Sequence, residues 1–202
     1  MSDPIHWTIT PLATPVVYRK CARCDERTVF RSSDKFRVNG SGRKLDVWLI
    51  YKCEQCNQTW NATLLSRVSP ESIAPELYQA FMDNDEATAW RYAFDFGMLK
   101  QNEAEPDPKV DTRIDGPELD FSADLPSPLR IVIDTPVSSG LRLEALLASR
   151  LGVSRRQLGL LYDGGKLRVR PEHKEPLSRR IKARVEVELD TPALMAARRA
   201  AE

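Results

Sequence analysis

The sequence predicts an α+β protein made of two small modules that are joined by a linker. Runs rich in β-branched and aromatic residues surround two cysteine pairs in the first part of the chain. Apolar residues at helical spacing follow this region, and they recur near residue 141 ahead of two alternating runs. An acidic segment with several prolines separates the two patterned regions, as is typical of a solvated linker.

We place the domain boundaries where the composition changes. Residues 103–128 contain 2 basic residues, 8 acidic residues and 5 prolines, whereas residues 129–202 contain 15 basic and 9 acidic residues. Part of the acidic segment can still pair as an edge strand, for example Val110 to Ile114. The predicted parts are a first domain with a helical extension over 1–102, a linker over 103–128, a second domain over 129–190, and a helical or disordered tail over 191–202.

All four cysteines fall into two C-x2-C pairs, Cys21 with Cys24 and Cys53 with Cys56. Each such loop directs two thiolates at one ion, and a second loop completes the tetrahedron that zinc prefers. Four sulfur ligands leave no open position for water, so the pattern predicts one structural Zn²⁺. A redox C-x-x-C pair or two disulfides is the alternative, although redox motifs usually come as a single pair in a βαβ setting.

The residues between and after the cysteine pairs predict β-hairpins. The segments 29–30, 35–38, 45–52 and 59–64 have strand composition, and Asn39 to Gly42 is a turn signal. Two cysteine loops at the ends of hairpins define a zinc ribbon, so we predict a zinc-ribbon sheet. Nearby basic residues can offset the double negative charge of a tetrathiolate zinc centre: Arg19, Lys20, Arg23 and Lys52.

A pair of helices is predicted after the ribbon. Ile73, Leu77 and Phe81 repeat at helical spacing and give one apolar face. A second helix is predicted from Asp85, which suits an N-cap, to about Lys100. The aromatic residues of this region are expected to pack against the ribbon sheet.

Several of these stretches resemble the bacterial proteins grouped as domain of unknown function family 1062. The matching stretches are residues 35–39, 45–53, 59–61 and 66–68. The resemblance implies a small bacterial cytosolic protein in which the cysteine pairs recur, and it implies no activity.

The C-terminal part predicts two helices and two strands. Leucines at helical spacing from Leu143 to Leu151 form the first helix, which Gly152 ends. Ser154 then suits the N-cap of a second helix. Basic and apolar residues alternate over 166–170 and again over 181–189, as in half-exposed strands.

This order of elements resembles the S4 RNA-binding domain over about residues 141–190. The matching pieces are the Arg142-Leu143 start, Val153 to Leu158, and Gly164 to Val169. The sequence departs from S4 domains after Val169, where Arg170-Pro171-Glu172 replaces the usual Asn-Gly turn. In S4 domains the matching positions face structured RNA, so the resemblance implies these RNA-binding residues: Arg142, Ser154, Arg155, Arg156, Gln157, Lys166 and Arg168.

The charge distribution agrees with an RNA-binding second domain. The whole chain has a net charge of +1, yet residues 141–184 contain 12 basic and 4 acidic residues. We therefore predict a non-enzymatic, zinc-binding protein that binds structured RNA, with ribosomal and transfer RNA as candidates. A further hypothesis is that the acidic linker occupies the basic face when RNA is absent.

Two alternatives stay open for the function. In the first alternative, the protein is an adaptor whose zinc ribbon and helix pair dock a protein partner. The basic residues of the second domain are then only a solvated surface. Enzymatic activity is not predicted, because the sequence has no Ser/His/Asp set, phosphate loop or open metal site, and no small-molecule substrate is evident. No apolar run reaches the roughly 18–20 residues of a membrane span, and no secretory signal is visible, so a cytoplasmic protein is expected.

Overall fold

The computed structural model describes residues 3–137 and 140–200, and the chain divides into two compact units. The cysteine unit comprises residues 13–110. The terminal unit comprises residues 1–12 together with 111–202, and thus contains both ends of the chain. Positions 1–2, 138–139 and 201–202, which the predicted domains and tail included, lie outside the described residues.

The described residues form ten strands in two five-stranded sheets and six α-helices, which confirms the predicted α+β class. The strands are β1 (Ile5–Pro11), β2 (Val17–Lys20), β3 (Arg27–Ser41), β4 (Lys44–Cys53), β5 (Thr59–Val68), β6 (Glu105–Pro106), β7 (Thr112–Asp115), β8 (Leu129–Asp134), β9 (Leu167–Arg170) and β10 (Val185–Leu189). The helices are α1 (Pro75–Asp83), α2 (Glu86–Ala93), α3 (Phe96–Gln101), α4 (Leu143–Leu151), α5 (Arg155–Asp163) and α6 (Thr191–Arg199).

The sheet of the cysteine unit is antiparallel, in the order β5-β4-β3-β2-β6. Alternate residues of β4 from Leu45 to Cys53 are buried, so one face of this strand contributes to the core. The two short strands predicted around 29–30 and 35–38 are one strand, β3, with an irregularity between Ser32 and Phe36. The Phe36 N–H leaves the ladder there and donates to Asn84 Oδ1 (2.7 Å) after α1.

The single second helix predicted from Asp85 to about Lys100 is two helices. Asp85 caps α2 as expected, because its side chain accepts from the Thr88 N–H. Asp95 then accepts from the Met98 N–H (3.0 Å) and starts α3, so a second N-cap divides the predicted helix.

The sheet of the terminal unit has the order β7-β1-β8-β10-β9, with β1 parallel to β8. Trp7 on β1 is fully buried in the core of this unit, and its Nε1 donates to the Pro117 carbonyl (3.0 Å). This placement corrects the predicted boundary of the first domain, since residues 1–12 belong with the C-terminal part. The prediction was wrong because pairing of β1 with β8 joins residues that are far apart in sequence.

The predicted linker differs from the structure, whereas most of the predicted tail is helical, one of its two predicted states. Within residues 103–128, β6 pairs with β2, β7 pairs with β1, and Phe121 packs against the terminal core. The possible edge strand at Val110 to Ile114 is close to the observed β7, which is an edge strand. Residues 191–199 form α6, which packs on the core of the terminal unit through the fully buried Leu194.

Helices α4 and α5 agree with the sequence pattern. The leucines of α4 at 143, 146, 147 and 151 are all buried. Gly152 ends α4 in the left-handed conformation, with φ 63°. Ser154 caps α5 in a capping box with Gln157: the Ser154 hydroxyl accepts from the Gln157 N–H, and the Ser154 N–H donates to Gln157 Oε1.

Candidate metal centre and basic surface

Two short loops hold the four cysteines, and their backbones follow the same pattern. In each loop the N–H of the first cysteine donates to the carbonyl five residues on, at 2.8 Å for Cys21 and 3.0 Å for Cys53. The N–H four residues on donates back to that cysteine's carbonyl, at 2.9 Å in both loops. This fourth residue is Asp25 or Asn57, with φ of 57° and 58°, a conformation that Asp and Asn tolerate better than most residues.

The two loops bring the four sulfur atoms together. Cys21 Sγ lies 3.6 Å from Cys56 Sγ, and Cys24 Sγ lies 3.9 Å from Cys53 Sγ. All four sulfur atoms lie within 4.8 Å of one another, and all four cysteines are free. The structure therefore does not contain the two disulfides of the alternative prediction, and the cluster can hold a metal ion.

Thr28, which is buried on β3, supports one of these sulfur atoms. Its Oγ1 lies 3.2 Å from Cys53 Sγ and can donate a hydrogen bond to the thiolate. Burial disfavours the charged form of Cys53. The Thr28 hydroxyl and the backbone N–H groups of Cys56 and Gln55 outweigh that burial and lower the pKa of Cys53 to about 6. The thiolate, which is the form that binds metal, is thus favoured at this position.

The pKa values of the other three thiols differ because each sulfur has a different set of hydrogen bonds and a different degree of burial. Backbone N–H groups, first that of Cys24, lower the pKa of Cys21. The neighbouring sulfur of Cys56 and burial raise the pKa of Cys24. For Cys56 the Gln58 backbone favours the thiolate, but burial and the sulfurs of Cys21 and Cys53 raise its pKa overall. A cation among the sulfur atoms would favour the thiolate form of all four cysteines.

Three of the four basic residues expected near the cysteines have identified contacts. The Arg19 guanidinium lies 4.1 Å from the centroid of the Trp60 ring, where burial lowers its pKa while Glu103 and Cys21 act to raise it. Lys20 pairs with Asp25 (2.7 Å), and Arg23 Nη1 lies 3.5 Å from the Cys56 carbonyl oxygen. Lys52 is exposed on β4.

Four of the seven residues predicted to bind RNA lie at the start of α5. The side chains of Ser154 and Gln157 form the capping box, and Gln157 Nε2 also donates to the Ala197 carbonyl (2.7 Å), so both are occupied within the fold. Arg155 and Arg156 are exposed, and Arg155 Nη1 lies 3.8 Å from Glu144 Oε1 on the first turn of α4.

The other three predicted residues lie at separate places. Arg142 precedes α4, and its Nη1 donates to the Ser178 carbonyl (2.8 Å). Lys166 pairs with Asp190 (3.2 Å) at the start of α6, and Arg168 is exposed on β9. The structure thus links Arg142 and Arg155 through the first turn of α4 but does not bring all seven residues into one cluster.

Among the described residues, no ion pair joins the acidic segment 103–128 to the seven residues predicted to bind RNA. Within residues 103–128, Glu105 pairs with Arg27, Asp115 with Arg113, and Glu118 with Arg150 at 3.9 Å. The hypothesis that this segment covers the basic face has no support from these ion pairs.

Sequence reasoning missed several residues of interest. Asp25 and Asn57 had a readable signal, because an Asp or Asn directly follows each C-x2-C pair. The segment 179–184 also had one, since it contains four basic residues and no acidic residue. Thr28 had no local signal, because its contact with Cys53 depends on the pairing of β3 with β4.

The fold and the cysteine cluster define a two-unit α+β protein with a zinc-ribbon-like region that can hold a metal ion. The sequence profile of the family described as Protein of unknown function (DUF1062) matches residues 38–173. Because this match spans more than half of the chain, the protein belongs to that family. The matched segment contains Cys53 and Cys56, whereas Cys21 and Cys24 precede it.

No curated protein and no solved structure matches the chain significantly. Among the described residues, none of the helices has both the length and the apolar character needed to cross a membrane.

Proposed function

We propose that the cysteine cluster binds one structural zinc ion through Cys21, Cys24, Cys53 and Cys56. A zinc ion with four Zn–S bonds of about 2.3 Å separates its sulfur ligands by about 3.8 Å. The two measured sulfur pairs, at 3.6 and 3.9 Å, fit that tetrahedron. Bound zinc would fix the two loops at the ends of their hairpins, and four protein ligands would leave no position for a substrate.

Metal analysis of the purified full-length protein tests this assignment. We expect one zinc per chain, with no visible absorption, and a clear loss of zinc in Cys21→Ser or Cys53→Ser. Ser66→Ala, at an exposed position on β5, is the control and should retain zinc. Tetrahedral sulfur sites also suit iron. If the protein contains one iron per chain and shows a coloured iron–thiolate spectrum, the zinc assignment is rejected and the site is an iron site.

We further propose that the terminal unit binds structured RNA and that the protein is a non-enzymatic, cytoplasmic RNA-binding protein. The observation that carries this proposal is the basic surface around the starts of α4 and α5. Arg155 reaches Glu144 of α4, Arg142 lies immediately before α4, and Arg156 is exposed without an ion pair among the described residues. Arg at such positions can grip phosphate through paired hydrogen bonds.

The remaining predicted residues have distinct parts in this proposal. Ser154 and Gln157 are capping residues that hold the start of α5 in place. Lys166 keeps free donors although it pairs with Asp190, because an ammonium group has three N–H bonds. The likeness of residues 141–190 to S4 domains favours a structured RNA, and double-stranded RNA is recognised chiefly by its shape and backbone.

A binding titration with a structured RNA across a series of salt concentrations tests RNA binding. We expect affinity to fall steeply with salt, and the charge-reversing pair Arg155→Glu with Arg156→Glu to weaken binding at every salt concentration and to flatten the salt dependence. The matched control is Arg43→Glu with Lys44→Glu, which reverses two exposed charges in the cysteine unit. No binding at low salt, or equal losses in both double variants, would reject this surface.

A further inference from the structure

A cleft of about 300 Å³ lies in the terminal unit beside the start of α4. Its floor is apolar and comes from α4, β9, β10 and the connection between the two strands: Leu143, Val169, Pro176 and Ile181 are buried and Val185 is half-buried, while Pro171, also in the lining, is exposed. Pockets that bind small molecules run from about 300 to 1,000 Å³. The cleft therefore has room for one nucleotide and is too small for a duplex.

The rim of this cleft is basic and contains no acidic side chain. It consists of His173, Arg179, Arg180, Lys182 and Arg184, with Ala183 between the last two. Arg184 pairs with Glu186 (3.2 Å), whereas Arg179, Arg180 and Lys182 are exposed and form no ion pair with any described residue. Three cations above an apolar floor are complementary to a group that is anionic at one end and apolar at the other.

The backbone around the cleft connects it to the proposed RNA surface. Arg142 forms a β-bridge with Arg180, the Leu143 N–H donates to the Arg179 carbonyl (3.0 Å), and the Ile181 N–H donates to the Leu141 carbonyl (2.9 Å). Residues 179–181 of the rim are therefore fixed to the start of α4.

The cleft also leads toward Arg168. A second, wider cleft of about 800 Å³ shares Val169 and His173 with the first and is lined by Arg168, Arg170 and Lys174, and also by the acidic Asp163 and Glu172. An RNA backbone that follows both clefts would therefore reach Arg168.

We propose that the cleft holds an unpaired nucleotide of the bound RNA. Its base lies on the apolar floor, and its flanking phosphates bind Arg179, Arg180 and Lys182. The inference rests on the proposed RNA-binding function and adds to it a preference for RNA with a nucleotide outside the helix. Unpaired bases can leave the stack and enter such sites, whereas a paired base must first break its base pair.

Fluorescence anisotropy with the full-length, metal-loaded protein tests the proposal. The probes are a short RNA hairpin with a single bulged uridine, the same hairpin fully paired, and an acidic peptide of similar charge. We expect the bulged hairpin to bind about tenfold more tightly than the paired one, and the peptide to bind more weakly than either RNA.

Two variants test whether the preference for the bulged hairpin arises at this cleft. Ala183→Trp fills the cleft from its exposed rim without changing charge, and it should remove the preference for the bulge while leaving binding to the paired hairpin within about twofold. The triple variant Arg179→Ala, Arg180→Ala, Lys182→Ala should also remove the preference. Its control, Arg43→Ala, Lys44→Ala, Lys109→Ala, removes three positive charges from the cysteine unit and should keep the preference.

The outcomes separate this inference from the proposed function. If neither hairpin binds, RNA binding itself is rejected. If both hairpins bind equally, or if both lose affinity equally in the triple variant, RNA binding stands and the nucleotide site is rejected. If the acidic peptide binds more tightly than either hairpin, and if Ala183→Trp abolishes that binding, the cleft is assigned to a protein partner instead.

Discussion

At the scale of single residues, Thr28 shows how the fold can support the proposed metal centre from outside the four cysteines. Its hydroxyl lies 3.2 Å from Cys53 Sγ on the buried side of the cluster, where water cannot replace it. A hydrogen bond to a metal-bound thiolate removes excess charge from sulfur and fixes its orientation. Thr28 therefore stabilises the form of Cys53 that binds the ion.

We predict that Thr28→Val weakens zinc binding by about 10- to 100-fold, the usual effect of losing a partner that orients a ligand. Valine keeps the shape and the strand preference of threonine, so the sheet should remain folded. Competition with a chromophoric chelator measures the change, and Thr28→Ser, which keeps the hydroxyl, is the control. Equal affinities of the valine variant and the natural protein would show that this hydroxyl does not act on the cluster.

Gly152 ends α4 at a position where a side chain would not fit. Its φ is 63°, and a Cβ added there would lie 2.2 Å from Arg198 Nη1. The same guanidinium donates to the Leu151 carbonyl and lies 3.6 Å from the centroid of the Phe121 ring. Gly152 thus allows α4 to end and Arg198 to reach over that end.

We predict that Gly152→Ala lowers the free energy of unfolding of the terminal unit by about 1–3 kcal/mol, because it combines left-handed strain with displacement of Arg198. Gly159→Ala is the matched control. Gly159 lies inside α5, and the space that an alanine methyl group would occupy there is open, so alanine should stabilise by about 0.5–1 kcal/mol. Urea unfolding measures both, and a shift of the same sign in the two variants would contradict this account.

At the scale of elements, the sequence was most informative where the determining contacts are local. The leucines of α4, the end at Gly152 and the cap at Ser154 were all predicted, since each depends on residues within one or two helical turns. The division between α2 and α3 was missed because Asp95 lies inside a continuous apolar pattern yet accepts from the Met98 N–H. A capping residue within such a pattern competes with the helix, and the pattern alone does not decide the outcome.

The N-cap of α6 gives a prediction about pH. The Ala193 N–H and the Lys166 ammonium lower the pKa of Asp190 below its ordinary value of 3.8. A carboxyl with a lowered folded-state pKa contributes stability above its unfolded pKa, and that contribution is lost as pH falls through the folded value. We expect Asp190→Asn to be less stable than the natural protein near neutral pH.

The stability difference between Asp190→Asn and the natural protein should vanish as the pH falls below the lowered pKa of Asp190. Protonated aspartate and asparagine are then both neutral caps. Urea unfolding at neutral and at acidic pH measures it. Asp124→Asn, in an exposed loop of the same unit, is the control and should show no such convergence. A stability difference that stays constant with pH would contradict a charged cap.

At the scale of the whole molecule, the division into units was the hardest feature to predict. The cysteine cluster could be predicted because its two C-x2-C loops carry their own signature. The terminal unit could not, because β1 must find β8 more than a hundred residues later in the chain, as with Ile5 opposite Ile131. The composition change at residue 103 marks exposure and charge and does not mark the structural boundary, which lies near residue 111.

Removing the metal should lower the stability of the cysteine unit and leave that of the terminal unit unchanged. The units have separate hydrophobic cores, and only the core of the cysteine unit contains cysteines. Structural zinc contributes about 10–16 kcal/mol in small zinc domains, which equals or exceeds the usual stability of about 5–15 kcal/mol. A strong chelator should therefore unfold residues 13–110 and leave the terminal unit folded.

Hydrogen–deuterium exchange of the full chain, followed by peptide, measures this prediction. The hydrogen bond from the Leu12 N–H to the Asp111 carbonyl (2.8 Å) closes the terminal unit at the point where the chain leaves and re-enters it. Chelation should abolish protection in β3 and β4, and protection should persist in β1 and β8. Cys53→Ser should reproduce this pattern without chelator. Loss of protection in β1 and β8 as well would mean that the terminal unit cannot fold without the cysteine unit, although its own core is complete.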